Sequence, residues 1–88
     1  MRVTLYVLKS QASGRRYVGI TNDLVRQLRE HSSGKTKAGQ ILGDYVLLHT
    51  EEFVDHVRAR AREKFLKSGQ GRKWLDGLDA RTRPAMGG

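Results

Sequence analysis

Two short apolar runs, each carrying a tyrosine, constrain this chain more than any other feature. Val3-Thr4-Leu5-Tyr6-Val7-Leu8 is β-branched, aromatic and unbroken. It reads as a central strand buried on both faces. Lys9-Ser10-Gln11-Ala12-Ser13-Gly14 is turn chemistry, and Arg15-Arg16-Tyr17-Val18-Gly19-Ile20 is the return strand. Together they predict a β-hairpin that sets two phenols side by side. Gly19, near the end of the second strand, predicts a close backbone approach or a bulge.

A helix start follows at once. Thr21 or Asn22 can cap it, and Asp23 in its first turn suits the helix dipole. Leu24, Val25 and Leu28 form an apolar stripe, and His31-Ser32-Ser33-Gly34 ends the helix with Gly34 as its C-terminal cap. Lys35 to Gly43 is open between a basic loop and a short helix. Tyr45 to Thr50 is a third strand. Val54 to Ser68 is the longest predicted helix, with a stripe of Val57, Ala61 and Phe65 and a second line of Ala59, Glu63 and Leu66. Gly69 ends it, and Arg72-Lys73-Trp74-Leu75 begins a last helical turn or two over the core. The order β-β-α-(α)-β-α-α predicts an α+β fold, a small three-stranded antiparallel sheet flanked by helices. We expect one domain over residues 1–79 and a disordered tail over 80–88.

Composition narrows the class. At 88 residues the chain holds one core and buries only about 60% of its unfolded surface. It has no cysteine, which removes disulfides and thiolate metal cages. No run approaches the ~20 apolar residues of a membrane span, and Met1 to Tyr6 is too short for a signal peptide. A cytoplasmic monomer is the expectation. Seventeen Lys and Arg stand against nine Asp and Glu, a net charge of +8. Between Arg58 and Lys73 the only acid is Glu63. A clustered positive field attracts polyanions, and a solvated helix face would carry the same charge.

In order, the motifs Leu5-Tyr6-Val7-Leu8-Lys9-Ser10, Tyr17-Val18-Gly19-Ile20-Thr21-Asn22-Asp23-Leu24, His31, Arg62-Glu63-Lys64-Phe65-Leu66-Lys67-Ser68-Gly69 and Gly71-Arg72-Lys73-Trp74-Leu75 resemble the GIY-YIG nuclease superfamily. The nearest likeness is to its small stand-alone bacterial branch, and the chain is similar also to the N-terminal nuclease domain of the excision-repair incision subunit. The resemblance implies a metal-dependent DNA endonuclease, structure-selective and linked to repair or recombination. It implies a site with a tyrosine base, an arginine for the phosphorane and a glutamate for one divalent ion, Mg²⁺ or Mn²⁺.

The residue chemistry fits those roles. In-line attack on a phosphodiester needs a base, positive charge and fixed geometry. Tyr6 and Tyr17 supply phenols, and Tyr17 is the preferred base because Gly19 and the helix start lie beside it. A phenol titrates near ~10, so positive charge must favour its anion. Arg16, His31 or a metal can provide it. Glu63 leans toward apolar neighbours, where a carboxylate needs a metal or an ion partner such as Arg62, Arg26 or Lys67. His31 can share a proton with a tyrosine, touch a phosphate or cap its helix. His49 and His56 read as surface residues. Arg16, Lys35, Lys37, Arg62, Lys67, Arg72 and Lys73 are the candidates to hold nucleic acid, DNA before RNA.

One departure stands out. The family's arginine falls eight residues after the glycine of the second motif, where this chain has Gln27. Gln carries neither charge nor the bidentate fork of arginine. Arg26 is a candidate substitute, but it lies about 100° around the helix. The first motif is Thr4-Leu5-Tyr6 rather than Gly-Ile-Tyr, and the family's late asparagine has no equivalent. An alternative reading follows: a nucleic-acid-binding module that does not cut. A protein-interaction module is a third, for which the sequence shows no exposed apolar stripe.

Overall fold

A computed structural model describes residues 2–34 and 36–82. Strands β1 (Val3–Ser10), β2 (Arg16–Thr21) and β3 (Tyr45–Phe53) form an antiparallel sheet in the order β2-β1-β3. Helices α1 (Leu24–Ser32) and α2 (Lys37–Leu42) precede β3, and α3 (His56–Lys67) and α4 (Gly69–Thr82) follow it. This is the expected α+β fold with β1 at its centre.

Alternation along β1 divides the core. Leu5 and Val7 face one way and join Val18, Leu66 and Leu75 beneath α3 and α4. Tyr6 and Leu8 face the other way and join Leu42, with Tyr17, Leu24, Leu28 and Tyr45 packed around them, beneath α1 and α2. Both faces of β1 are therefore buried, which is why the strand reads as a continuous apolar run. Ser10 ends it: its hydroxyl donates to the Leu42 carbonyl at 2.8 Å and accepts from the Ser13 N–H at 3.2 Å. The hairpin turn is thereby tied to the end of α2.

Several boundaries differ from expectation. The cap of α1 is Asp23, whose carboxylate accepts from the Arg26 N–H at 3.1 Å, while Thr21 braces Asp23 from behind. Val25 is exposed rather than part of the buried stripe. Residues 37–42 are helical, capped by Thr36. The core face of α3 is the line of Ala59 and Leu66, whereas Val57 is 79% exposed and Ala61 and Phe65 also face outward. The stripe expected from their four-residue spacing is therefore exposed, and Val54 before the helix is exposed too. Helix α4 is longer than α3, 14 residues against 12, because Leu75, Trp74 and Leu78 anchor it to the core. It carries Ala80 to Thr82, the first residues of the expected tail; residues 83–88 lie outside the described residues. Among the described residues no helix is long and apolar enough to cross a membrane.

Strand β3 runs past Thr50 through Glu51 and Glu52, residues that strands usually disfavour. Partners explain it. Arg62 forks onto Glu51 at 3.1–3.2 Å, His49 donates to the same carboxylate at 2.8 Å, and Arg2 pairs with Glu52 at 2.8 Å. The Arg62 guanidinium lies 4.8 Å from the Trp74 ring centre, and His49 meets Trp74 edge-on. His49 is thus part of a half-buried network rather than a free surface residue.

Burial pushes the Glu51 carboxyl up, but its bonds from Arg62 and His49 outweigh that and hold it below its ordinary 4.5. A carboxyl depressed in the folded state stabilises the fold above its unfolded value, and that contribution is lost as pH falls through the folded value. Glu51→Gln is expected to cost about 1–3 kcal/mol at neutral pH. Urea unfolding of the two proteins from neutral pH down through 4.5 should show the gap closing on the acid side. A pH-independent gap would contradict this account.

Candidate active site

Tyr6 and Gly19 are direct partners across the β1–β2 ladder. Glycine is required there: a Cβ at position 19 would lie 2.6 Å from the Tyr6 hydroxyl and 3.0 Å from the Tyr17 ring. This is the close approach that Gly19 predicts. The Tyr6 ring fills the space and is only 1% exposed.

Tyr6, Tyr17 and His31 pack as a triangle, with ring centres 6.1, 5.9 and 5.6 Å apart. His31 Nε2 shares a 3.0 Å hydrogen bond with the Tyr6 hydroxyl. Its Nδ1 shares one of 2.5 Å with Thr36 Oγ1, which also caps α2 by accepting from the Gly39 N–H. The imidazole therefore joins the sheet to α2. Burial lowers the His31 pKa, against a smaller opposing pull from Glu30. That favours the neutral ring, in which one nitrogen donates and the other accepts. Burial also pushes the Tyr6 phenol far up, reinforced by Tyr17 and by the charge of Glu63. Burial thus favours the neutral phenol at Tyr6, while Tyr17 is half-buried.

A cavity of about 430 Å³ opens on Tyr17, with Gln27, His31, Thr36 and Lys37 around it and Arg15 and Arg16 at the β2 side. Gln27 and His31 are one turn apart and share a face of α1. Position 27 thus lines the cavity with Tyr17 and His31. Arg26 is exposed and lines neither of the two cavities that contain Tyr17. Arg16 is engaged by Asp76 at 2.5 Å and by Asp79 at 3.9 Å. Arg15 and Lys37 form no ion pair among the described residues. Arg15 and Thr36 are site residues that sequence reasoning missed; the doubled arginine after the turn was the available signal for the first.

Glu63 projects from α3 on the Ala59–Leu66 line, its side chain 15% exposed, and accepts from Lys67 at 3.0 Å. Its charge reaches Tyr6. The described residues include no group of three or more His, Cys, Asp or Glu placed to hold a metal. A lone carboxylate suits a hard ion such as Mg²⁺, which keeps several waters and takes further oxygens from substrate. Of the expected nucleic-acid contacts, Lys37 lines the Tyr17 cavity and Lys67 and Arg72 line a neighbouring one. Lys73 is exposed and lines neither. Arg62 is taken up by Glu51 and Trp74 in the fold, and Lys35 lies outside the described residues.

The structure is a small α+β domain whose three-stranded sheet sets one buried phenol behind a second that lines a cationic cavity. The chain belongs to the GIY-YIG family: the model of the GIY-YIG catalytic domain matches residues 2–74. It is similar to a UPF0213 protein of Klebsiella pneumoniae subsp. pneumoniae, 35% identical over 80 residues that span 86% of this chain and 74% of that protein. Its fold is similar to the solution NMR structure of a UPF0213 protein from Bacillus halodurans, with a TM-score of 0.55 and 30% identity. That match covers 89% of this chain and 85% of the other. Family and fold agree with the resemblance drawn from the sequence.

Proposed function

We propose that the protein is a metal-dependent DNA endonuclease that hydrolyses phosphodiester bonds, with Tyr17 as its base. One observation carries the reading: Tyr17 is the accessible phenol of the pair, and it lines a cavity together with Arg15 and Lys37. Tyr6 and His31 hold each other and leave Tyr17 to meet a water and a phosphate. Arg15 and Lys37 attract and orient the phosphate. Glu63 would hold a divalent ion, whose charge offsets that gathering on the phosphate oxygens. The contacts are cationic and directed at phosphate, which supports selection by DNA structure rather than by base sequence. Nicked, flapped and branched DNA of the kind met in repair are therefore the first substrates to test.

Gln27 favours a second reading, in which the same cavity binds nucleic acid without cutting it. Incubation with those DNAs, with and without Mg²⁺ or Mn²⁺, separates the two. The nuclease should cut only with metal, and Glu63→Gln should remove metal-dependent cleavage while DNA affinity in EDTA stays within about threefold. Cleavage that survives Glu63→Gln would remove Glu63 from the metal site.

A further inference from the structure

Tyr17 stands between two cavities. The first, described above, is walled by α1 and α2. The second, of about 510 Å³, is walled by the end of α3 and the start of α4, and it shares only Arg15, Arg16 and Tyr17 with the first. Those helix pairs cover opposite faces of the sheet, and β2 is an edge strand. The two cavities therefore meet around the N-terminal end of β2.

The second cavity is cationic on an apolar floor. Leu66 and Leu75 form the floor, Lys67 and Arg72 the far wall, and no carboxylate lines it. Lys67 is held by Glu63 and Arg16 by Asp76. Arg15 and Arg72 both line the cavity and form no ion pair among the described residues, so two guanidinium groups there are left for an anion. Guanidinium pairs of this kind fit phosphate oxygens better than point charges do.

We propose that the second cavity is a phosphodiester-binding subsite, in which Arg72 and Arg15 hold a phosphate flanking the one presented to Tyr17. The inference rests on the reading that the Tyr17 cavity takes nucleic acid. The bound strand crosses the edge of β2, with phosphates on both sides of Tyr17. Ligands of several nucleotides occupy both cavities, and a mononucleotide occupies one.

The test is binding of a short fluorescent DNA oligonucleotide across a salt series, in EDTA so that no cleavage intervenes. Arg72→Ala should weaken binding about tenfold and reduce the log–log salt slope by about one. Arg60→Ala removes an equal charge from the outer face of α3 and should change affinity less than about twofold. Equal losses in both variants would show a general positive field and overturn the subsite. No loss in Arg72→Ala would overturn it too, provided that variant's thermal unfolding matches wild type; Arg72→Glu, with charge reversed, serves as the second variant. If binding depends on Arg72 but no metal supports cleavage, the subsite stands and the nuclease reading falls.

Discussion

Tyr17→Phe is expected to slow DNA cleavage by about 10²–10⁴-fold, the usual worth of a positioned general base. The loss should fall on kcat, with DNA affinity nearly unchanged, because the ring that packs against Tyr6 and His31 remains. Stability should hold within about 1 kcal/mol, since Tyr17 is only half-buried and lines a cavity. Tyr6→Phe is the informative contrast. Its hydroxyl is bonded to His31 in a buried setting, so removing it leaves a ring nitrogen without its partner. That variant should lose about 1–3 kcal/mol of stability. Urea melts beside cleavage rates on a flapped duplex would separate the two roles. If Tyr6→Phe abolished cutting at full stability and Tyr17→Phe did not, the base would be Tyr6.

The hairpin and its site were legible because short-range pattern determines them. Two apolar runs around a turn predict the hairpin, and a glycine near the end of the second foretells the close approach that Tyr6 makes there. Glu63 was legible for a related reason: a lone acid on the Ala59–Leu66 line is either paired or bound, and it is paired with Lys67. What escaped depends on distant partners. Glu51 can sit in a strand because Arg62, eleven residues on, neutralises it. Arg16 looks like a free cation until Asp76, sixty residues away, takes it and leaves Arg15 for the cavity. Helix α4 is glycine-bearing and polar, so its length comes from Trp74, Leu75 and Leu78 on the core rather than from propensity. The outward turn of Val57 and Phe65 is likewise a tertiary outcome, because α3 presents only the Ala59–Leu66 side to the sheet and α4.

Gln27→Arg is the expected gain of function. The position lines the Tyr17 cavity and lies one turn from His31, so an arginine there would enter the site without a change in helix direction. Gln and Arg have similar helix propensities, and the backbone has no reason to object. A charged donor aimed at a phosphoryl transition state is worth about 10²–10⁵ in rate. The gain should fall at the low end, near a hundredfold, if Arg15 and Lys37 already supply part of the missing charge. That compensation has its own signature. Lys37→Ala should slow the wild-type enzyme more than it slows Gln27→Arg, because the introduced guanidinium takes over the load. Equal effects in the two backgrounds would mean that Lys37 and position 27 act independently. Should Gln27→Arg stay inert on nicked, flapped and branched DNA with either metal, the cutting function fails outright. The cavity would then be a place where this fold holds a phosphate without attacking it.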